Sequence, residues 1–131
     1  MQTGPTLAER LADERYVALT TFRRSGEPVP TPVWFVPQPD GTLLVYTDGT
    51  SGKVKRLRRD PRCTVAPCDA RGRVHGEALP AEGAVLEAEV DAVRQRLVRR
   101  YGWQARAFLG LSGLRRRGRP GGEVGLRLTA G

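Results

Sequence analysis

Tyr16-Val17-Ala18-Leu19-Thr20-Thr21-Phe22, then a turn at Arg24-Ser25-Gly26-Glu27, then an extended run over residues 28–36: this stretch decides the fold. Aromatic and β-branched residues crowd the first run, as a strand prefers, and the glycine-containing turn folds the second run back on it as a hairpin. Pro28, Pro30 and Pro32 recur at every second position of the second strand. Each would aim its missing N–H at the same strand edge, so no ordinary ladder can form there. The strand therefore borders an opening in the sheet, with residues 31–35 beside it. Protection of an edge against aggregation would leave the same pattern.

Working outward, residues 6–14 read as a short helix opened by the capping box Thr6-Leu7-Ala8-Glu9, with Leu7 and Leu11 one turn apart. Pro39-Asp40-Gly41 turns the chain into a strand over 42–47, apolar from Leu43 to Tyr46 as expected when both faces are covered. A helix over 51–59 follows, with Val54 and Leu57 inward and Asp60-Pro61 as its stop. Residues 63–68 form another strand with a hairpin turn at 69–72. Residues 73–79 and 83–87 read as one interrupted strand or two short ones. Val90, Val93, Leu97 and Tyr101 trace one helix face, Trp103 is expected to pack that helix end onto the sheet, residues 110–122 read as a Gly/Arg loop, and 123–129 form a closing strand. Gly and Pro (16 and 10 of 131 residues) make up about a fifth of the chain against a background nearer an eighth, which favours many short elements. The expectation is a mainly β fold, one small barrel with flanking short helices, as a single domain over residues 1–131.

No apolar run approaches the roughly 20 residues of a membrane span. Met1-Gln2-Thr3-Gly4-Pro5 does not look like the start of a secretory signal, so a cytoplasmic protein is expected. Cys63 and Cys68 are five apart on one strand, hence on opposite faces and about 16 Å apart, beyond disulfide reach. With one histidine, His75, they are too few for a zinc site. No Asp/Glu pair stands out as an acid–base couple, so an enzyme of this sequence would rely on a bound cofactor for its chemistry.

Thr47-Asp48-Gly49-Thr50-Ser51-Gly52-Lys53-Val54-Lys55-Arg56 is the strongest local signal. A strand ends in small and hydroxyl residues and feeds a helix N-terminus, whose free N–H groups and partial positive charge suit a phosphate. Only Lys53 and Lys55 among the 22 basic residues are lysine, which suggests a need for compact point charges. The motif departs from the G-x-x-x-x-G-K-[ST] loop. An ordinary capped, solvated helix is the alternative. The net charge of +8 suits an acidic partner, although arginine-biased composition would also produce it. Residues 53–62 carry six basic residues against Asp60, which admits a nucleic-acid stripe, but Val54 and Leu57 dock the helix and the aromatics are too scattered for base stacking.

Taken together, 16–22, Pro30-Thr31-Pro32-Val33-Trp34-Phe35, Ser51-Gly52-Lys53-Val54-Lys55-Arg56-Leu57, Arg59-Asp60-Pro61-Arg62, Ala66-Pro67-Cys68 and Tyr101-Gly102-Trp103 give the chain its family likeness. It resembles the pyridoxamine-phosphate-oxidase-like superfamily, and within it the small actinobacterial branch of coenzyme F420-dependent oxidoreductases, over most of residues 6–109. The resemblance implies an FMN-binding split β-barrel of the flavin-reductase type, usually a homodimer with cofactor sites at the interface. It implies that Lys53 and Lys55, with Ser51 and Thr47, hold the cofactor's phosphate, and that the backbone around Thr31, Pro32, Val33 and Trp34 lines the ring. The implied activity is hydride transfer between deazaflavin and a small conjugated substrate. An FMN-binding reductase or oxidase and a non-catalytic F420 carrier are the alternatives. F420, with a phosphodiester and an oligoglutamate tail, suits a +8 protein better than FMN does.

Overall fold

The computed structural model describes residues 5–88, 90–104 and 122–131; the expected Gly/Arg loop lies outside these except for Gly122. Among the described residues, three complete helices and seven strands follow in the order α1 (Leu7–Leu11), β1 (Tyr16–Phe22), β2 (Pro28–Val33), β3 (Val36–Pro37), β4 (Leu43–Asp48), α2 (Gly52–Arg59), β5 (Arg62–Cys68), β6 (Leu79–Leu86), α3 (Val90–Tyr101) and β7 (Glu123–Ala130). None of the described helices is long and apolar enough to cross a membrane. The strands form one antiparallel sheet in the order β2-β1-β5-β6-β7-β4-β3, the curled sheet of a split barrel.

The curl follows from chain length. Trp34 and Phe35 alone carry the backbone from β2 at one edge of the sheet to β3 at the other. Val33 and Val36 can stand at most about 11 Å apart. Seven strands laid flat would separate the edges by about 29 Å. The sheet has to roll until its edges nearly meet, and its inner face then encloses Leu19, Phe35, Leu43, Val45, Val65, Leu126 and Leu128. Along β4, Leu43 and Val45 enter this interior. Leu44 points outward to a second cluster with Val93, Leu97 and Tyr101 of α3, so β4 is covered on both faces as its apolar run requires.

The run expected as one strand over 28–36 is divided. Residues Pro28–Val33 pair with β1 and Val36–Pro37 pair with β4, so Trp34 and Phe35 mark a change of partner rather than a break in extension. The expected strand at 73–79 is also revised. Only Val74 makes an isolated bridge, to Cys68, and β6 begins at Leu79 and runs unbroken through Leu86. His75 is exposed and its Nε2 meets Glu14 Oε1 at 2.6 Å. Trp103 does not pack the helix end onto the sheet: it is 76% exposed, and Tyr101 makes the contact in its place. Both cysteines are buried and free, and burial pushes the Cys63 thiol up to about 12.

Tyr101 fastens the crossover. Its hydroxyl accepts the Phe35 N–H at 3.2 Å and donates to the Arg15 carbonyl at 2.7 Å, with the Phe35 carbonyl oxygen 3.0 Å away. Its ring stacks on Trp34 at 4.8 Å. Arg100 adds a guanidinium 4.8 Å from the centre of the Phe35 ring and donates to the Glu14 carbonyl at 2.6 Å. Removing the hydroxyl leaves buried backbone groups at the crossover short of a partner, at a cost of about 1–3 kcal/mol. Tyr101→Phe should therefore lower unfolding stability by that amount in urea titrations, whereas Trp103→Ala should change it by under about 0.5 kcal/mol.

Candidate functional site

A sheet rolled in this way has a seam between its two edges, with β2 on one side and β3, continued by the rest of β4, on the other. If the β3–β4 register (Val36↔Leu44) continued, Val33 would face Thr47 and Pro32 would face Asp48. Instead β2 is a sheet edge and pairs with β1 alone. Because proline has no N–H, the hydrogen-bonded rungs to β1 fall on Val29, Thr31 and Val33, and the proline positions turn toward the seam with carbonyls only. The expectation that this strand borders an opening thus describes the observed edge. Pro28, Pro30 and Pro32 are exposed, while Val29, Thr31 and Val33 are half-buried and Val33 packs on the main core.

On the other side of the seam β4 ends and α2 begins. Asp48 Oδ1 accepts from the Thr50 N–H at 2.8 Å and the Thr50 hydroxyl at 2.7 Å, and this turn brings the chain into the helix. Ser51 occupies the N-cap position but makes no capping hydrogen bond, and its Oγ is buried without a partner. The first turn of α2 carries no acidic residue. Lys53 reaches back along the helix start and donates to Thr47 Oγ1 at 3.2 Å, with Thr47 itself 8% exposed. A helix N-terminus, an unsatisfied hydroxyl and an ammonium group therefore converge at one spot, a set of donors that fits a phosphate.

Of the residues expected here, Thr47, Ser51 and Lys53 come together at the β4–α2 junction. Thr31, Pro32 and Val33 lie on β2 across the seam, with Trp34 just beyond. Lys55 is exposed, about 200° around the helix from Lys53, so the two lysines do not share a face. The cation that shares the face of Lys53 is Arg56, three residues on. Its Nε donates to Thr21 Oγ1 at 2.6 Å. Helical spacing is the signal that would have picked Arg56 from the sequence.

The basic stripe over 53–62 is largely engaged within the molecule. Arg58 pairs with Glu87 and Arg62 with Asp60, and Arg59 donates to the Phe22 carbonyl at 2.5 Å. A nucleic-acid backbone would have to compete with these contacts.

The profile of the pyridoxamine 5'-phosphate oxidase family matches residues 3–124. The chain belongs to this family. No match was found among curated proteins. Solved structures share the fold at low identity. A protein of unknown function from Agrobacterium tumefaciens is 23% identical with a TM-score of 0.64, aligned over 90% of this chain but 49% of its own length, so this chain spans about half of that relative. The heme storage protein HutZ from Vibrio cholerae is 16% identical, with a TM-score of 0.64 over 92% of this chain and 84% of HutZ. An F420 reductase is 16% identical, with a TM-score of 0.61 over 100% of this chain and 96% of the reductase.

An N-cap serine that caps nothing should be dispensable for stability. Ser51→Ala should leave unfolding free energy unchanged or slightly raised. Thr6→Ala, which removes the bond from the Glu9 N–H to Thr6 Oγ1 (3.1 Å), should cost about 1 kcal/mol. Thermal melts of the two variants side by side check this.

Proposed function

We propose that the protein is a coenzyme F420-dependent oxidoreductase that transfers a hydride between the deazaflavin and a small conjugated substrate. The observation that carries this reading is the donor set at the β4–α2 junction, where Ser51 Oγ is buried without a partner beside Lys53 and the free N–H groups of α2. Ser51, Lys53 and Thr47 would hold the coenzyme's phosphodiester, with Lys55 available from the exposed side of the helix. The backbone of Thr31, Pro32, Val33 and Trp34 would line the ring from across the seam. When bound, the deazaflavin supplies two-electron chemistry and avoids one-electron and oxygen reactions. The protein's part is to hold ring and substrate in contact; a substrate that accepts the hydride takes its balancing proton from solvent water, so no side-chain acid or base is required.

The net charge of +8 favours F420, with its phosphodiester and carboxylate tail, over FMN with one phosphomonoester. The alignment with the F420 reductase over nearly the full length of both chains supports the same choice. An FMN-dependent reductase is the second reading of this cradle, since the phosphate donors would serve either cofactor. A carrier that binds F420 without turnover is the third. The proposal includes a single domain over 1–131, a cytoplasmic location and a homodimer whose interface covers the seam.

Fluorescence titration with F420 tests the assignment. Micromolar or tighter binding is expected, weaker for FMN, and Lys53→Ala should weaken F420 binding about tenfold or more, since a charge-assisted contact contributes about 1.5–3 kcal/mol. Tighter binding of FMN would move the reading to a flavoenzyme, and a folded Lys53→Ala variant with wild-type affinity would reject the phosphate assignment.

A further inference from the structure

Arg56 bridges α2 and β1. Its Nε donates at 2.6 Å to Thr21 Oγ1, a hydroxyl only 1% exposed on β1. Its Nη1 lies 2.7 Å from the point where a Cβ on Gly52 would stand, with Cζ and Nη2 at 3.3 Å. The guanidinium therefore lies across the first turn of α2, where a side chain at position 52 would make it move. This is the turn beside the partnerless Ser51 Oγ.

Its electrical surroundings are unusual for a side chain so firmly placed. Among the described residues no carboxylate pairs with Arg56. Partial burial holds its pKa below the usual guanidinium value, and the neighbouring cations Arg23 and Arg59 add to the effect. Arg23 has Glu27 at 3.5 Å and Arg59 has the Phe22 carbonyl, so each neighbour is partnered. A guanidinium fixed by a buried hydroxyl, pressed among like charges and laid over a helix N-terminus lowers its energy most by meeting an anion.

We propose that Arg56 is an anion-binding residue of this site, the cation that grips the coenzyme's phosphate beside Lys53, with Thr21 positioning its guanidinium and Gly52 giving it room. The inference rests on the phosphate reading of the α2 N-terminus. Lys53 and Arg56 stand three residues apart, about 60° around the helix, and so present a point charge and a planar fork to one ligand. Lys55 is on another side. The ligand class is an anion with at least two free oxygens on one phosphorus, which a fork can take as a pair.

The test compares wild type with Arg56→Ala, Arg56→Lys, Gly52→Ala, Thr21→Val and Lys55→Ala. Each is titrated with F420 by fluorescence and with inorganic pyrophosphate by calorimetry, and each is melted to check folding. Arg56→Ala should weaken both ligands about tenfold or more, with partial rescue by added guanidinium ion, and Arg56→Lys should recover only part of the loss. Gly52→Ala should melt at or above the wild-type temperature, since alanine favours helix, yet bind several-fold more weakly because its methyl group displaces the guanidinium. Thr21→Val and Lys55→Ala should each weaken binding by less than Arg56→Ala.

Arg56→Ala with wild-type affinity for both ligands would overturn the proposal. So would a Gly52→Ala variant that binds as wild type while Arg56→Ala loses affinity only in step with its melting temperature. If wild type binds pyrophosphate and not F420, the coenzyme reading fails, and the Arg56 comparison is decided on pyrophosphate. If it binds neither, both fail.

Discussion

Two residues separate the opposite edges of a seven-stranded sheet, and that short tether rolls the sheet into a barrel. Trp34 and Phe35 make the crossing, where Phe35 is fully buried and its N–H and carbonyl belong to neither ladder. Buried backbone groups without partners are costly. The Tyr101 hydroxyl satisfies Phe35 and ties it to Arg15, so α3 and the chain entering β1 are fixed to the same point. The seam beside that crossing, and the ligand space proposed there, exist because the tether curls the sheet edge toward edge while the prolines leave β2 without donors on its open side.

The chemistry of the β4–α2 junction comes from the same economy of local structure. β4 ends at Asp48, the Asp48–Thr50 turn starts a helix, and that helix packs Val54 and Leu57 on the core while its first N–H groups stay without intrahelical partners. Four arginines close to that helix are turned to internal tasks: Arg58 and Arg62 to carboxylates, Arg59 to a carbonyl, Arg56 to Thr21. The charge of the segment is therefore less available to a diffuse polyanion than its composition suggests, and more concentrated on one small spot.

Much of this fold was legible because its signals are local. The capping box at Thr6, the strand at Tyr16–Phe22 and the α3 stripe of Val93, Leu97 and Tyr101 depend on neighbours a few residues away. The proline repeat was legible for the same reason, since a missing N–H is a property of the residue. The division at Trp34 carried no such signal. Both halves of the run are extended, and only a long-range exchange of partners separates them. The exposed Trp103 misled because a large aromatic residue at a helix end is ordinarily buried, whereas here Tyr101 already fills the contact. At the proposed site, residue types drew attention to the β4–α2 junction and to two lysines two apart in sequence, whereas the placement of Arg56 follows only from helical geometry and from Thr21, thirty-five residues earlier.

A gap in a β-barrel is normally an invitation for another polypeptide to zip itself in. Here the bordering strand has imino acids at Pro28, Pro30 and Pro32, so an intruding segment would find oxygen atoms to bind but no hydrogens in return along six residues. Fibril growth from this rim is blocked without closing it. A guest that is not a strand and carries its own polar hydrogens meets no such obstacle, so the rim discriminates against pairing with another chain while its carbonyls stay open.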